Sequence, residues 1–132
     1  MTAIVRPAPF LRQVLLLDAV VSGATGLLLL LGAGFLTGLL ALPVELLRTA
    51  GLLLLPFVAF VAYIATRTPF SRAGVWAVIG VNALWVLTSI GLLLSGWVAP
   101  NGLGLAFIIA QALVVGLFAE LQVVGLRRSF HP

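Results

Sequence analysis

Four apolar blocks, at about residues 10–31, 44–65, 75–98 and 103–126, take up most of this chain. At about 1.5 Å per residue, each reaches across a hydrocarbon layer of about 30 Å. Lipid offers the backbone no hydrogen-bond partner, so each block must satisfy its own N–H and C=O groups as a helix. Of the 132 residues, 63% are hydrophobic and 8% charged, where soluble domains carry about a quarter charged residues. The surplus apolar surface has to face lipid. No stretch between the blocks is long or polar enough to fold alone. The expected fold is all-α: a four-helix transmembrane bundle, up-and-down, forming one integral membrane domain over residues 1–132.

The residues between the blocks fit this plan. Thr68-Pro69 reads as a cap with proline in the first helical turn, ahead of the third block. Pro43 opens the second block, and Pro100-Asn101-Gly102 forms a tight turn with Asn101 capping the fourth. Pro56 lies inside the second block and predicts a kink. The stretch "GAGFLTGLLAL", residues 32–42, is more apolar than a loop requires and reads as a helix extension or an interfacial turn. Arg6, Arg12 and Gly32-Ala33-Gly34 flank the first block as in a secretory signal. The block exceeds the about 7–15 apolar residues of such a segment, and Asp18 interrupts it, so it reads as a retained helix.

Orientation follows from arginine. Arg6, Arg12, Arg67, Arg72, Arg127 and Arg128 fall on one side of a four-span chain, and Arg48, balanced by Glu45, on the other. The expected topology has both termini in the cytoplasm, in a bacterial inner membrane. Trp76 and Trp97 lie near the two boundaries as interfacial anchors, while Trp85 lies deeper. The formal net charge of +4 is thus a matter of topology. No run of like charges marks a nucleic-acid partner. The lipid bilayer is the partner every feature implies, with a second copy or another membrane protein beside it.

Polar side chains inside the blocks are few, and each span contributes one to the cytoplasmic third of the membrane. Asp18, six residues past Arg12, sits about 9 Å inward of the interface. Glu120 lies at similar depth on the fourth span, Asn82 slightly deeper on the third, and Tyr63 on the second; Gln111 lies near mid-membrane. Ionisable groups at such depths cost about 2.5–3.5 kcal/mol at a helix centre, less near the interface, and normally face the bundle interior. Ser22 and Thr25 share the face of Asp18. Gln111 and Gln122, eleven residues apart, share a face of the fourth span, and Glu120 lies opposite. Either Glu120 or the glutamine face therefore points toward a second subunit or partner. Asp18 has two readings: it hydrogen-bonds Asn82 or Tyr63, or draws Arg12 or Arg127 inward, to fix helix register; or it belongs to an ion, proton or solute site. Small-residue pairs such as Ser22/Gly26 fit close packing.

Catalysis finds no constellation. Cysteine is absent, and the one histidine, His131, lies outside every block, which removes thiol chemistry and axial haem ligation. Asp18 is the only aspartate, so an intramembrane aspartyl dyad is excluded. No metal ligand set, cofactor motif or catalytic residue is expected, and the chain reads as no enzyme.

Offset by 64 residues, Asp18-Ala19 falls on Asn82-Ala83 and Gly32 on Gly96, a pattern that two parallel hairpin repeats would leave. The runs "LLLDAVVSGATGLLLLLGAG", "VNALWVLTSIGLLLSGWVAP" and "AELQVVGLRR" resemble the small four-helix inner-membrane proteins of high-GC bacteria, over most of the chain. The resemblance implies the fold and brings no activity. "GLLLSGWVAP", residues 91–100, is similar to the bacterial SPW repeat, a paired-helix membrane unit, with Gly96 in place of its proline. The expected function is a non-enzymatic accessory or scaffold subunit. The alternative is an oligomeric proton- or cation-coupled transporter or channel using Asp18 and Glu120.

Overall fold

A computed structural model describes residues 9–67 and 71–129, with the backbone alone at Ser129. Five helices follow one another: α1 (Pro9–Leu31), α2 (Ala33–Leu40), α3 (Val44–Thr66), α4 (Arg72–Ser95) and α5 (Gly102–Ser129). No strand occurs among the described residues. The fold is an all-α, up-and-down bundle in which α1, α3, α4 and α5 are each long and apolar enough to cross a membrane.

The short helix α2 is the apolar stretch that reads as an extension or turn. The chain bends at Gly32 yet keeps its ladder there, with Gly32 N–H donating to Leu28 O (2.8 Å) and Leu36 N–H to Gly32 O (2.9 Å). Ala33, Leu36 and Leu40 are buried, and α2 packs on α3 and α5. It stops at Ala41, which adopts the left-handed conformation at φ 55°. Pro56 does not break α3, which runs helical through it with the ring on an exposed face. Helix α4 starts at Arg72, where Ser71 Oγ accepts from Gly74 N–H at 3.0 Å. The cap is thus Ser71; Thr68 and Pro69 lie outside the described residues.

Asn101 ties the other end of the bundle together. Its Oδ1 accepts from Gly104 N–H (2.8 Å), capping α5. Its Nδ2 donates to Leu39 O (2.8 Å), taking up a carbonyl at the C-terminal end of α2. One side chain therefore satisfies orphan groups of two helices. Asn101→Ala is expected to lower stability by about 1–2 kcal/mol, read as an earlier midpoint in detergent melting.

Helix α1 lies along α3, and α4 along α5; α1 and α5 adjoin, while α3 and α4 are the neighbours that touch least. The order around the bundle is α1, α3, α4, α5, with α1 and α4 on a diagonal. The α1–α3 contact is close because glycines face each other. A Cβ on Gly51 would stand 2.7 Å from Gly26 O and 2.8 Å from Leu30 N.

Two apolar clusters fill the interior. One, at the arginine-rich end, joins Leu11, Leu15, Val61, Ile64, Val75, Val78 and Leu126. The other, at the far end, joins Leu29, Ala33, Leu36, Leu40, Leu47, Leu54 and Ile108. Removing these side chains from an aqueous environment is not what drives helix association within lipid; there, packing and interhelical hydrogen bonds hold helices together. The layer between the clusters is polar.

Candidate functional site: a buried polar layer

Asp18 is fully buried, at 0% exposure, and so is Gln122; Asn82 and Ser22 are also buried. The four side chains form one connected hydrogen-bond set. Ser22 Oγ donates to Asp18 Oδ1 at 2.9 Å, one turn along α1. Asn82 Nδ2, from α4, donates to Asp18 Oδ2 at 2.9 Å. Gln122 Nε2, from α5, donates to the same oxygen at 2.7 Å. Asn82 Nδ2 also donates to Gln122 Oε1 at 3.0 Å, closing the ring of partners. Helix periodicity explains who takes part: Asp18 and Ser22 are i and i+4 on one face, and the diagonal placement of α1 and α4 turns Asn82 toward them.

The donors all face the carboxylate, so the set presents no empty cluster of oxygens to a cation. Among the described residues, no group of three or more His, Cys, Asp or Glu side chains converges. Among these residues, no buried side-chain nitrogen or oxygen lacks a hydrogen-bond partner either. Among the hydrogen bonds the described residues make to the set, none comes from an arginine: Arg12 donates to the Ala65 carbonyl near the end of α3. That bond meets an orphan helix-terminal carbonyl, which is a better match for a guanidinium near the interface than a carboxylate two turns further in.

A second polar group lies nearer the middle of the bundle. Gln111 Oε1 accepts from Trp85 Nε1 at 2.8 Å. Its Nε2 donates to Ser89 Oγ at 3.0 Å and to Ile108 O at 2.8 Å. Gln111 thus joins α5 to α4, as the Asp18 set joins α1 to both.

The structure therefore brings Asp18 and Asn82 together and gives Gln111 its own partners. Tyr63 and Glu120 lie elsewhere. Tyr63 is 55% exposed, with the Arg67 guanidinium 4.9 Å over its ring. Its phenol sits one turn from the end of α3, where it points outward rather than toward Asp18. Glu120 is exposed on α5 and makes no hydrogen bond or ion pair among the described residues. Gln111 and Gln122 take the inner face, leaving Glu120 on the outer one. The two carboxylates do not share an interior. Thr25 bonds its own helix, donating to Val21 O at 2.8 Å, and adds nothing to the Asp18 set.

Gln122 is the member that spacing alone underuses. It lies five residues before Arg127, so its depth, about 8 Å, matches that of Asp18. Its shared face with Gln111 leaves open, on sequence alone, whether the glutamines or Glu120 turn inward.

No family model, curated protein or solved structure matches the chain. Likeness to a bacterial inner-membrane group or to the SPW repeat is accordingly not shown. At the position where that repeat carries proline, Gly96 ends α4 at φ 74°. Proline is held near −65° and cannot adopt that conformation.

Proposed function

We propose that this chain is a multi-pass protein of a bacterial inner membrane, with both termini cytoplasmic. In this reading it acts without catalysis, as an accessory or scaffold subunit that docks a partner on the outer face of α5. The observation that carries the proposal is Glu120, an exposed carboxylate without a partner among the described residues, at a depth where lipid would surround it. Facing acyl chains, such a group costs up to about 2.5–3.5 kcal/mol. A basic or amide side chain on a neighbouring helix removes that cost.

The face around Glu120 supports the same reading. Ala106, Ala110, Leu113, Leu117, Glu120, Val124 and Arg127 are all exposed. They recur at alternating intervals of four and three residues, the spacing of a helix–helix seam. Two alanines at one end allow a second helix to come close. The buried, fully partnered Asp18 supports a structural rather than a transport role for the interior.

Extraction of the protein from its native membrane in mild detergent, followed by complex mass and identification of copurifying proteins, tests the proposal. The expected result is a stoichiometric assembly that Glu120→Leu dissolves while the melting midpoint of the isolated bundle stays unchanged. A lone monomer, or an assembly indifferent to Glu120→Leu, overturns it.

A further inference from the structure

Helices α3 and α4 leave a gap between them, and it opens into a cavity of about 230 Å³ in the half of the bundle away from the arginine-rich end. Its wall includes Leu46, Leu53, Phe107 and Trp85, together with Thr49 from α3 and Thr88 from α4. Hydroxyls inside apolar helices ordinarily bond a carbonyl of the preceding turn. This chain follows the rule at Thr25, Thr66 and Ser89, each donating to the carbonyl four residues earlier. Thr37, Ser22, Ser71 and Ser95 also have partners. Among the described serine and threonine side chains, those of Thr49 and Thr88 have none, and both line this one cavity at exposed positions. They lie at similar depths, about 8 Å into α3 and about 10 Å from the end of α4.

We propose that this cavity is a binding site for a small, neutral, ring-bearing molecule of the lipid phase that carries one or two hydrogen-bonding oxygens. Each part of that description has a reason. The lining contains no charged residue, so an ionic head group would lose its hydration without compensation. A void of about 150 Å³ holds a benzene-sized ring, so 230 Å³ holds a ring with substituents. Trp85 and Phe107 give that ring aromatic surfaces. The hydroxyls of Thr49 and Thr88 supply directed hydrogen bonds to its oxygens, as the few polar groups of apolar pockets do. The gap between α3 and α4 is the entrance from the bilayer.

The test uses the full chain in lipid nanodiscs, with Trp76→Phe so that only Trp85 and Trp97, which both line the cavity, emit. The probe is a 1,4-naphthoquinone bearing a short prenyl tail, which quenches indole fluorescence on contact. The control is the same tail ending in hydrogen. The expected result is saturable quenching of Trp85 and Trp97 by the quinone, reversed by the unlabelled ring phenol 1-naphthol and not by the control. Thr49→Val/Thr88→Val, which keeps shape and removes both hydroxyls, should weaken binding by about tenfold. Quenching that rises without saturation means partition into lipid only and overturns the proposal. Equal affinity for the control tail, or an unchanged affinity in the valine variant, overturns it as well. The melting midpoint of that variant, expected to match the parent, excludes a change of fold as the cause.

Discussion

Asp18→Leu is expected to lower stability by about 2–4 kcal/mol, and Asp18→Asn by less than about 1 kcal/mol. The carboxylate accepts from Ser22, Asn82 and Gln122. Leucine removes all three acceptor positions and leaves two buried amides and a hydroxyl to find new partners in an apolar layer. Interhelical hydrogen bonds in membranes contribute about 0.6 kcal/mol on average and up to about 1.7. Orphaned buried donors cost about 1–3 kcal/mol in addition. Asparagine escapes this. Its carbonyl can replace Oδ2, which accepts from both amides, and its amide can donate to the Ser22 oxygen, which accepts as readily as it donates. Thermal melting in detergent, followed by helix content, separates the two variants. Equal midpoints for Asp18→Leu and the parent would remove the hydrogen-bond set from any account of what holds the bundle together.

Gly51→Ala is expected to cost about 2 kcal/mol or more, while Gly80→Ala is neutral or gains up to about 1 kcal/mol. The contrast isolates packing from helix propensity, which favours alanine over glycine by about 1 kcal/mol at any helix interior. At Gly51 the added methyl meets Gly26 O at 2.7 Å and Leu30 N at 2.8 Å. Both atoms are backbone, and neither can rotate away. Helix α1 must then move off α3 along the contact that positions Asp18, at the usual penalty for overpacking. At Gly80 nothing stands within 4 Å of the new methyl. The same melting measurement reads both, and matching shifts for the two variants would refute a tight α1–α3 seam.

The number of spans and the helical class were legible in the sequence because length and apolar content alone force four self-satisfied spanning helices. The inward turn of Asp18 and Asn82 was legible too, since an isolated polar group on an apolar helix has few other places to go. Their pairing was legible only as one of two alternatives, Asn82 or Tyr63, because depth along a helix is readable from arginine positions while rotation about its axis is not. That ambiguity explains Tyr63: its depth suits the layer, but its face of α3 turns outward, where Arg67 covers the ring. It also explains Glu120 and Gln122. Two residues apart on one helix, they differ by about 200° in direction, so only one of them can enter the interior. The cap at Ser71 was hidden by a stronger local signal, the threonine–proline pair upstream. The open side between α3 and α4 had no sequence mark, since leucines facing a cavity and leucines facing lipid look alike.

The Asp18 hydrogen-bond set also imposes an order on biosynthesis. Asp18 lies on α1, which leaves the ribosome before α4 and α5, and its partners Asn82 and Gln122 follow 64 and 104 residues later. Until α4 arrives, only Ser22, on the same helix, can bond the carboxylate within the bundle. Until α5 arrives, Asn82 shares it alone. The Asp18 set is therefore complete only once α5 has inserted beside α1 and α4.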